Sequence, residues 1–151
     1  MAELKERLRN DLTASMRARD ELRMATIRMV LTAVTNSEVA GARARVLSDD
    51  EVLAVLTKEA KKRREAADAF RLGGRIEQAE REDAEAGVIA EYLPEPLTDD
   101  VLAVLVDAAV AETGAESPRD MGRVMKVLQP RVAGRAEGSK LAAAVKARLA
   151  D

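Results

Sequence analysis

Six cations lie in one stretch near the end of the chain, SPRDMGRVMKVLQPRVAGRAEGSKL, Ser117–Leu141: Arg119, Arg123, Lys126, Arg131, Arg135 and Lys140. Guanidinium and ammonium groups at this density can hold phosphate oxygens through charge-assisted hydrogen bonds. At about 100° per residue, Arg119, Arg123 and Lys126 share one side of a helix whose other side carries Met121, Val124, Met125 and Leu128. Ser117, Pro118 and Asp120 supply its start: a cap, a first-turn proline and the acid of a capping box. Gly122 falls between the two sides, where an interior glycine costs roughly 0.5–1 kcal/mol relative to alanine. Close approach of another helix, or of a nucleic-acid backbone, would offset that cost. Pro130 is expected to end or kink the helix. The connector RVAGRAEGSK then sets Arg131, Arg135 and Lys140 around Gly134 and Gly138, with Ser139 placed to cap a last helix. A glycine-containing turn into a helix N-terminus exposes N–H groups that can hold a phosphate. An ordinary connector with solvated charges is the other reading.

Little other chemistry is available. The chain has no cysteine and no histidine, which excludes disulfides, thiolate nucleophiles, Cys/His zinc sites and imidazole acid–base steps. Neither a metal nor a cofactor is expected. No apolar run approaches the roughly 20 residues of a membrane span. The opening residues Met1–Asn10 are charged and amphipathic, unlike a secretory signal. A cytoplasmic protein without a membrane partner is expected.

The elements that position these residues read as helices throughout. The apolar residues are chiefly Ala, Val and Leu, and the only aromatics are Phe70 and Tyr92; strands usually draw on aromatic and β-branched residues, whereas Ala, Leu, Arg and Glu favour helices. Leu4, Leu8, Leu12 and Met16 mark a first helix. Asp20 caps a second with the stripe Met24, Ile27, Val30, Leu31 and Val34. Ser48 and Glu51 form a capping box for a third, ended by Gly73-Gly74. A fourth carries Ile76, Ala79, Ala86, Ala90 and Leu93. Pro94 and Pro96 then interrupt the helix pattern. The chain is therefore expected to be all-α, with a helical N-terminal domain over 1–93 and a small three-helix C-terminal domain over 97–151. Thr98 opens the fifth helix and Gly114 closes it. Charge is uneven along this order: residues 93–116 hold six acids and no base, whereas residues 117–151 hold eight bases and three acids. Such asymmetry speaks of partners.

Three further features invite a functional reading. KEAKKRRE, Lys58–Glu65, reads as a solvated helix face, with Glu59–Arg63 and Lys61–Glu65 spaced as i,i+4 partners. Arg63 projects from the apolar stripe Val52, Leu56, Ala60, Ala67 and Phe70, so it needs a buried carboxylate. Glu82 or Asp83 of the next helix is expected to supply a structural ion pair. Tyr92 is expected to pack its ring where the domains join and keep its hydroxyl in water. LGGR, Leu72–Arg75, lacks the framework of a phosphate loop.

IRMVLTAVTNSEV (Ile27–Val39), KKRREAADAFRLGGR (Lys61–Arg75), EYLPEPLTDD (Glu91–Asp100) and SPRDMGRVMKVLQPRVAGRAEG (Ser117–Gly138) resemble, in order and spacing, the GatB/YqeY family. The resemblance covers essentially the whole chain and implies a helical N-terminal domain with a compact helical C-terminal one. The same module ends the larger GatB protein of the tRNA-dependent amidotransferase, which amidates Glu-tRNA(Gln) or Asp-tRNA(Asn) with glutamine as nitrogen donor. It implies tRNA or another structured RNA as partner, held by the DMGRVM helix and the GRAEG turn, or assembly with amidotransferase subunits. The catalytic portion of GatB and the Ser/Lys amidase apparatus have no counterpart in 151 residues. An accessory module that does not amidate by itself is expected; a protein-interaction subunit whose basic end docks on an acidic partner is the alternative. The RNA reading requires the C-terminal cations to converge on one exposed surface.

Overall fold

Ala, Leu, Arg and Glu lose little side-chain freedom in a helix, and the computed structural model, which describes residues 3–150, is all-α. The described residues form seven α-helices and no strand. They are α1 (Glu3–Ala18), α2 (Glu21–Val39), α3 (Asp49–Leu72), α4 (Ile76–Ala90), α5 (Asp99–Thr113), α6 (Met121–Val132) and α7 (Gly138–Ala150). A single 3-10 turn, Pro118–Asp120, precedes α6. The helices group into two compact units, Met1–Leu93 and Pro94–Asp151.

In the first unit the local signals act as the sequence indicates. The Asp20 carboxylate accepts from the Arg23 N–H at 3.1 Å and starts α2. Ser48 and Glu51 exchange hydrogen bonds at 3.2 Å in each direction and start α3. The Arg45 guanidinium, and next the Ser48 N–H, hold the Glu51 carboxyl down at about 2. Gly74, at φ +76°, makes the left-handed step after α3. Leu8, Ile27, Val30, Val34, Val52, Leu56, Ala60, Ile89 and Tyr92 form the core.

The apolar reading fails at several points in this unit: of the expected α4 stripe, Ile76 and Ala90 are exposed and Leu93 lies beyond the helix. Met16 is half exposed, and the buried face of α1 runs through Lys5, Leu8 and Ser15. Each four-residue step gains about 40° around a helix, so a strict every-fourth pattern leaves the core within three steps. Lys5 sits on that face because its ammonium pairs with Glu38 at 2.7 Å, joining α1 to the end of α2. Glu38 also accepts from the Leu47 N–H at 3.2 Å, and Lys5 first, then this bond, holds its carboxyl below the usual range. Tyr92 is buried, and its hydroxyl donates to Asp11 instead of facing water. Arg7 lies 4.6 Å above its ring.

In the second unit Thr98 caps α5, accepting from the Val101 N–H at 3.2 Å, and Gly114 at φ +66° ends it. The core consists mainly of Leu102, Val106, Ala109, Val110, Val124, Leu128, Val132, Leu141, Val145 and Leu149. Pro130 does not end α6, which continues to Val132. The carbonyl its missing N–H leaves free belongs to Lys126, an exposed residue where water can take the bond. The last helix begins at Gly138, its first bond running from the Leu141 N–H to the Glu137 carbonyl at 2.9 Å, so Ser139 lies inside the first turn.

Candidate functional site

The C-terminal cations Arg119, Arg123 and Lys126 do not share one helix as expected: Arg119 lies in the 3-10 turn before α6, and Arg123, Lys126 and Arg131 lie on α6. Arg135 is on the turn after it and Lys140 on α7, and four of the six reach an acceptor from their own unit. Arg123 donates to Asp120 at 2.8 Å and to the Thr113 carbonyl at 2.9 Å. Asp120 also accepts from the Glu116 and Ser117 N–H groups, and these bonds, with Arg123, hold its carboxyl low. Arg131 pairs with Glu112. Lys140 pairs with Asp99 at 2.7 Å, lowering that carboxyl. Arg135 donates to the Glu95 carbonyl at 2.8 Å, while its own carbonyl accepts from the Leu97 N–H at 2.8 Å. Arg135 thus clamps the extended segment before α5 to the turn after α6. Among the described residues, Arg119 and Lys126 carry no ion pair; both are exposed.

The required convergence on one free surface is therefore not what this fold builds. Three of the six cations meet carboxylates, and two of those carboxylates, Asp99 and Glu112, belong to α5. The excess of positive charge after residue 116 is one half of a set of internal pairs. Across 94–151 the sequence holds nine acids and eight bases. The turn keeps its glycine geometry, with Gly134 at φ +76° and Ala133 at φ +49°, but the cations flanking it, Arg131, Arg135 and Lys140, are engaged by protein oxygens. At Gly122 a Cβ would meet nothing within 4 Å. Close helix approach does not explain that glycine, and the structure offers no other account of it.

A fourth pair completes the pattern. Arg148 of α7 donates to Asp107 of α5 at 2.8 Å. Between this pair and Asp99–Lys140 lies a mostly apolar groove of about 240 Å³, lined also by Leu102, Ala103, Val106 and Ala144. Sequence reasoning missed these acids and this groove. The available signal was a shared spacing: Asp99 and Asp107 stand eight residues apart, as do Lys140 and Arg148.

In the first unit, Arg63 is 9% exposed and pairs with its i,i+4 neighbour Glu59, which is buried and not on a solvated face. It joins α3 to α4 through neither Glu82 nor Asp83. Its Nη1 donates to Glu59 Oε2 at 2.7 Å, and its Nε lies 3.7 Å from Glu85 Oε2. Asp83 pairs with Arg71, and Glu82 is half-buried beside Phe70 and Arg81. The reason is height along the hairpin. Arg63 and Glu85 each stand eleven residues from Gly74, so antiparallel helices bring them level, whereas Glu82 and Asp83 lie nearer the turn. The Arg63 Nε is buried without a hydrogen-bond partner. Lys61, Lys62 and Arg64 of the same run are exposed.

Among the described residues there is no group of three His, Cys, Asp or Glu side chains able to hold a metal ion, and no helix long and apolar enough to cross a membrane. Fold and site define a small all-helical protein whose C-terminal unit is a three-helix assembly cross-linked by ion pairs. The chain belongs to the Yqey-like protein family, whose model matches residues 5–149. It is 33% identical over 89 residues to uncharacterized protein C22F3.15 of Schizosaccharomyces pombe, an alignment covering 58% of this chain and 70% of that protein. It is 31% identical over 86 residues to altered inheritance of mitochondria protein 41, mitochondrial, of Lachancea thermotolerans, covering 57% of this chain and 46% of that protein. The match thus spans less than half the length of the second relative.

Proposed function

We propose that the chain is a non-catalytic accessory module, related to the tail of the GatB protein of the tRNA-dependent amidotransferase, that acts by binding a protein component of that machinery through its C-terminal unit. One observation carries the reading. The cations of α6 and α7 largely pair within their own unit, and the apolar α5–α7 groove stays open. The family membership and the four matching sequence blocks support the amidotransferase context, in which the carbon–nitrogen ligase chemistry belongs to other chains. A basic end docking on an acidic partner is not part of this reading, because the unit holds nearly equal numbers of acids and bases.

Direct tRNA contact is the second reading, favoured by Arg119 in the 3-10 turn before α6 and Lys126 on α6, which are exposed and without an ion pair among the described residues. The pairs of Arg123, Arg131 and Lys140 are also largely exposed, and such pairs contribute only about 0–1 kcal/mol, so phosphates can compete for them. One experiment decides between the readings. Unfractionated tRNA is titrated into the purified chain, and amidotransferase subunits are co-purified with it, across about 50–200 mM salt. The protein reading expects co-purification with little salt dependence and no tRNA complex. A tRNA complex that weakens steeply with salt and is lost in R123E/K126E/R131E overturns it in favour of the second reading.

A further inference from the structure

The groove between α5 and α7 has a regular construction. Asp99, Ala103 and Asp107 follow one another at four-residue steps on α5, and Lys140, Ala144 and Arg148 do the same on α7. Asp99 pairs with Lys140 and Asp107 with Arg148. Both partners ascend in sequence, so the two helices run in the same direction. The ion pairs are two rungs roughly 12 Å apart, eight residues of helix rise. The middle rung is alanine on both sides. Two methyl groups cannot span the gap that a long lysine or arginine bridges to its aspartate above and below, so a notch opens over Leu102 and Val106.

We infer that this notch is the seat for one large apolar side chain presented by a helix of a protein partner. The size favours a side chain: about 240 Å³ lies below the roughly 300–1,000 Å³ of ordinary small-molecule sites. The charges favour a helix. Carboxylates line one rim and cations the other, and each rung is largely exposed, from 45% for Arg148 to 85% for Asp99. A helix laid along the groove, with Leu, Met or Phe at the centre, meets the α5 rim with bases and the α7 rim with acids one turn away. The rungs then exclude helices of the wrong charge pattern. This inference deepens the protein-partner reading and rests on it.

The test uses the isotope-labelled full chain and a designed alanine-based helical peptide. The peptide carries a central Leu, Lys three residues before and four after it, and Glu four before and three after. The expected result is binding that shifts the methyl signals of Ala103, Val106 and Ala144. Replacing the central Leu by Ser is expected to weaken binding about tenfold or more, the effect of losing one buried apolar side chain. Ala144→Leu and Ala103→Leu, which fill the notch from opposite helices, are expected to abolish binding while leaving the melting temperature unchanged or higher. K140E/R148E, which sets like charges across both rungs, is expected to weaken it without unfolding the unit. Absence of shifts at those methyls with millimolar peptide overturns the inference, as does equal binding by the filled variants. The two proposals separate cleanly. Peptide binding without co-purified amidotransferase subunits removes the proposed function alone, and co-purification unaffected by Ala144→Leu removes the inference alone.

Discussion

Replacing Arg63 by methionine keeps most of the length of the side chain and deletes its charge. It strands the Glu59 and Glu85 carboxylates, 8% and 9% exposed, without the guanidinium between them. Breaking a buried pair costs about 3–5 kcal/mol. Lys62, 3.5 Å from Glu59, and Arg81, 3.4 Å from Glu85, remain beside the two acids. Both are more than half exposed, so their compensation is screened. The loss should fall near the lower end, about 3 kcal/mol, which for a unit of this size lowers the melting temperature by about 12–24 °C. The assay is selective because the chain has one tyrosine and no tryptophan. Tyr92 is buried in the first unit, so its emission during urea or thermal denaturation reports on that unit alone. The triple variant R63M/E59Q/E85Q, which removes all three charges of the cluster, should recover most of the loss. Denaturation of R63M within about 0.5 kcal/mol of the parent, the scale of an ordinary surface change, refutes the reasoning. A triple variant no more stable than R63M assigns the loss to packing of the arginine stem.

Gly122→Ala should stabilise the second unit by about 0.5–1 kcal/mol, because the added methyl meets open space and alanine loses less entropy in a helix; thermal denaturation followed by circular dichroism checks it. Ala133 holds a left-handed conformation that costs a non-glycine residue about 1–2 kcal/mol. Ala133→Gly should recover part of this, measured in the same way. Glu51, held at about 2 against an ordinary 4.5, contributes stability that is fully present above its unfolded value and is lost as pH falls through the folded one. The difference in denaturation midpoint between the parent and E51Q, read from Tyr92, should therefore be constant above about pH 4.5 and close toward pH 2. Glu38, also depressed, acts in the same direction, so E38Q should flatten the acid limb further.

Helix content and most helix ends were legible because their causes are local, although Pro130 does not end α6 and Ser139 lies within the first turn of α7. The Ser48–Glu51 box, the Asp20 and Thr98 caps and the left-handed glycines at 74 and 114 involve contacts within a few residues, so residue type and spacing carry them. The face each helix buries was less legible. Met16 fails because a four-residue repeat drifts around the helix, and Lys5 and Glu38 lie buried because each supplies the other's charge from 33 residues away. The sequence also shows that Arg63 needs a carboxylate, since a cation in an apolar stripe cannot be left alone.

The i,i+4 pairs Glu59–Arg63 and Lys61–Glu65 were legible from spacing, but which opposite charges meet from far apart in the chain was decided by the tertiary structure alone. Level height on the α3–α4 hairpin selected Glu85 over Glu82 and Asp83. In the second unit, parallel packing of α5 and α7 brought Asp99 to Lys140 and Asp107 to Arg148, turning a basic sequence segment into half of an internally paired surface. Attraction between charges acts through space with little regard for separation along the chain. A charge map drawn along the sequence therefore records the supply of ions, and helix packing determines which of them neutralise one another.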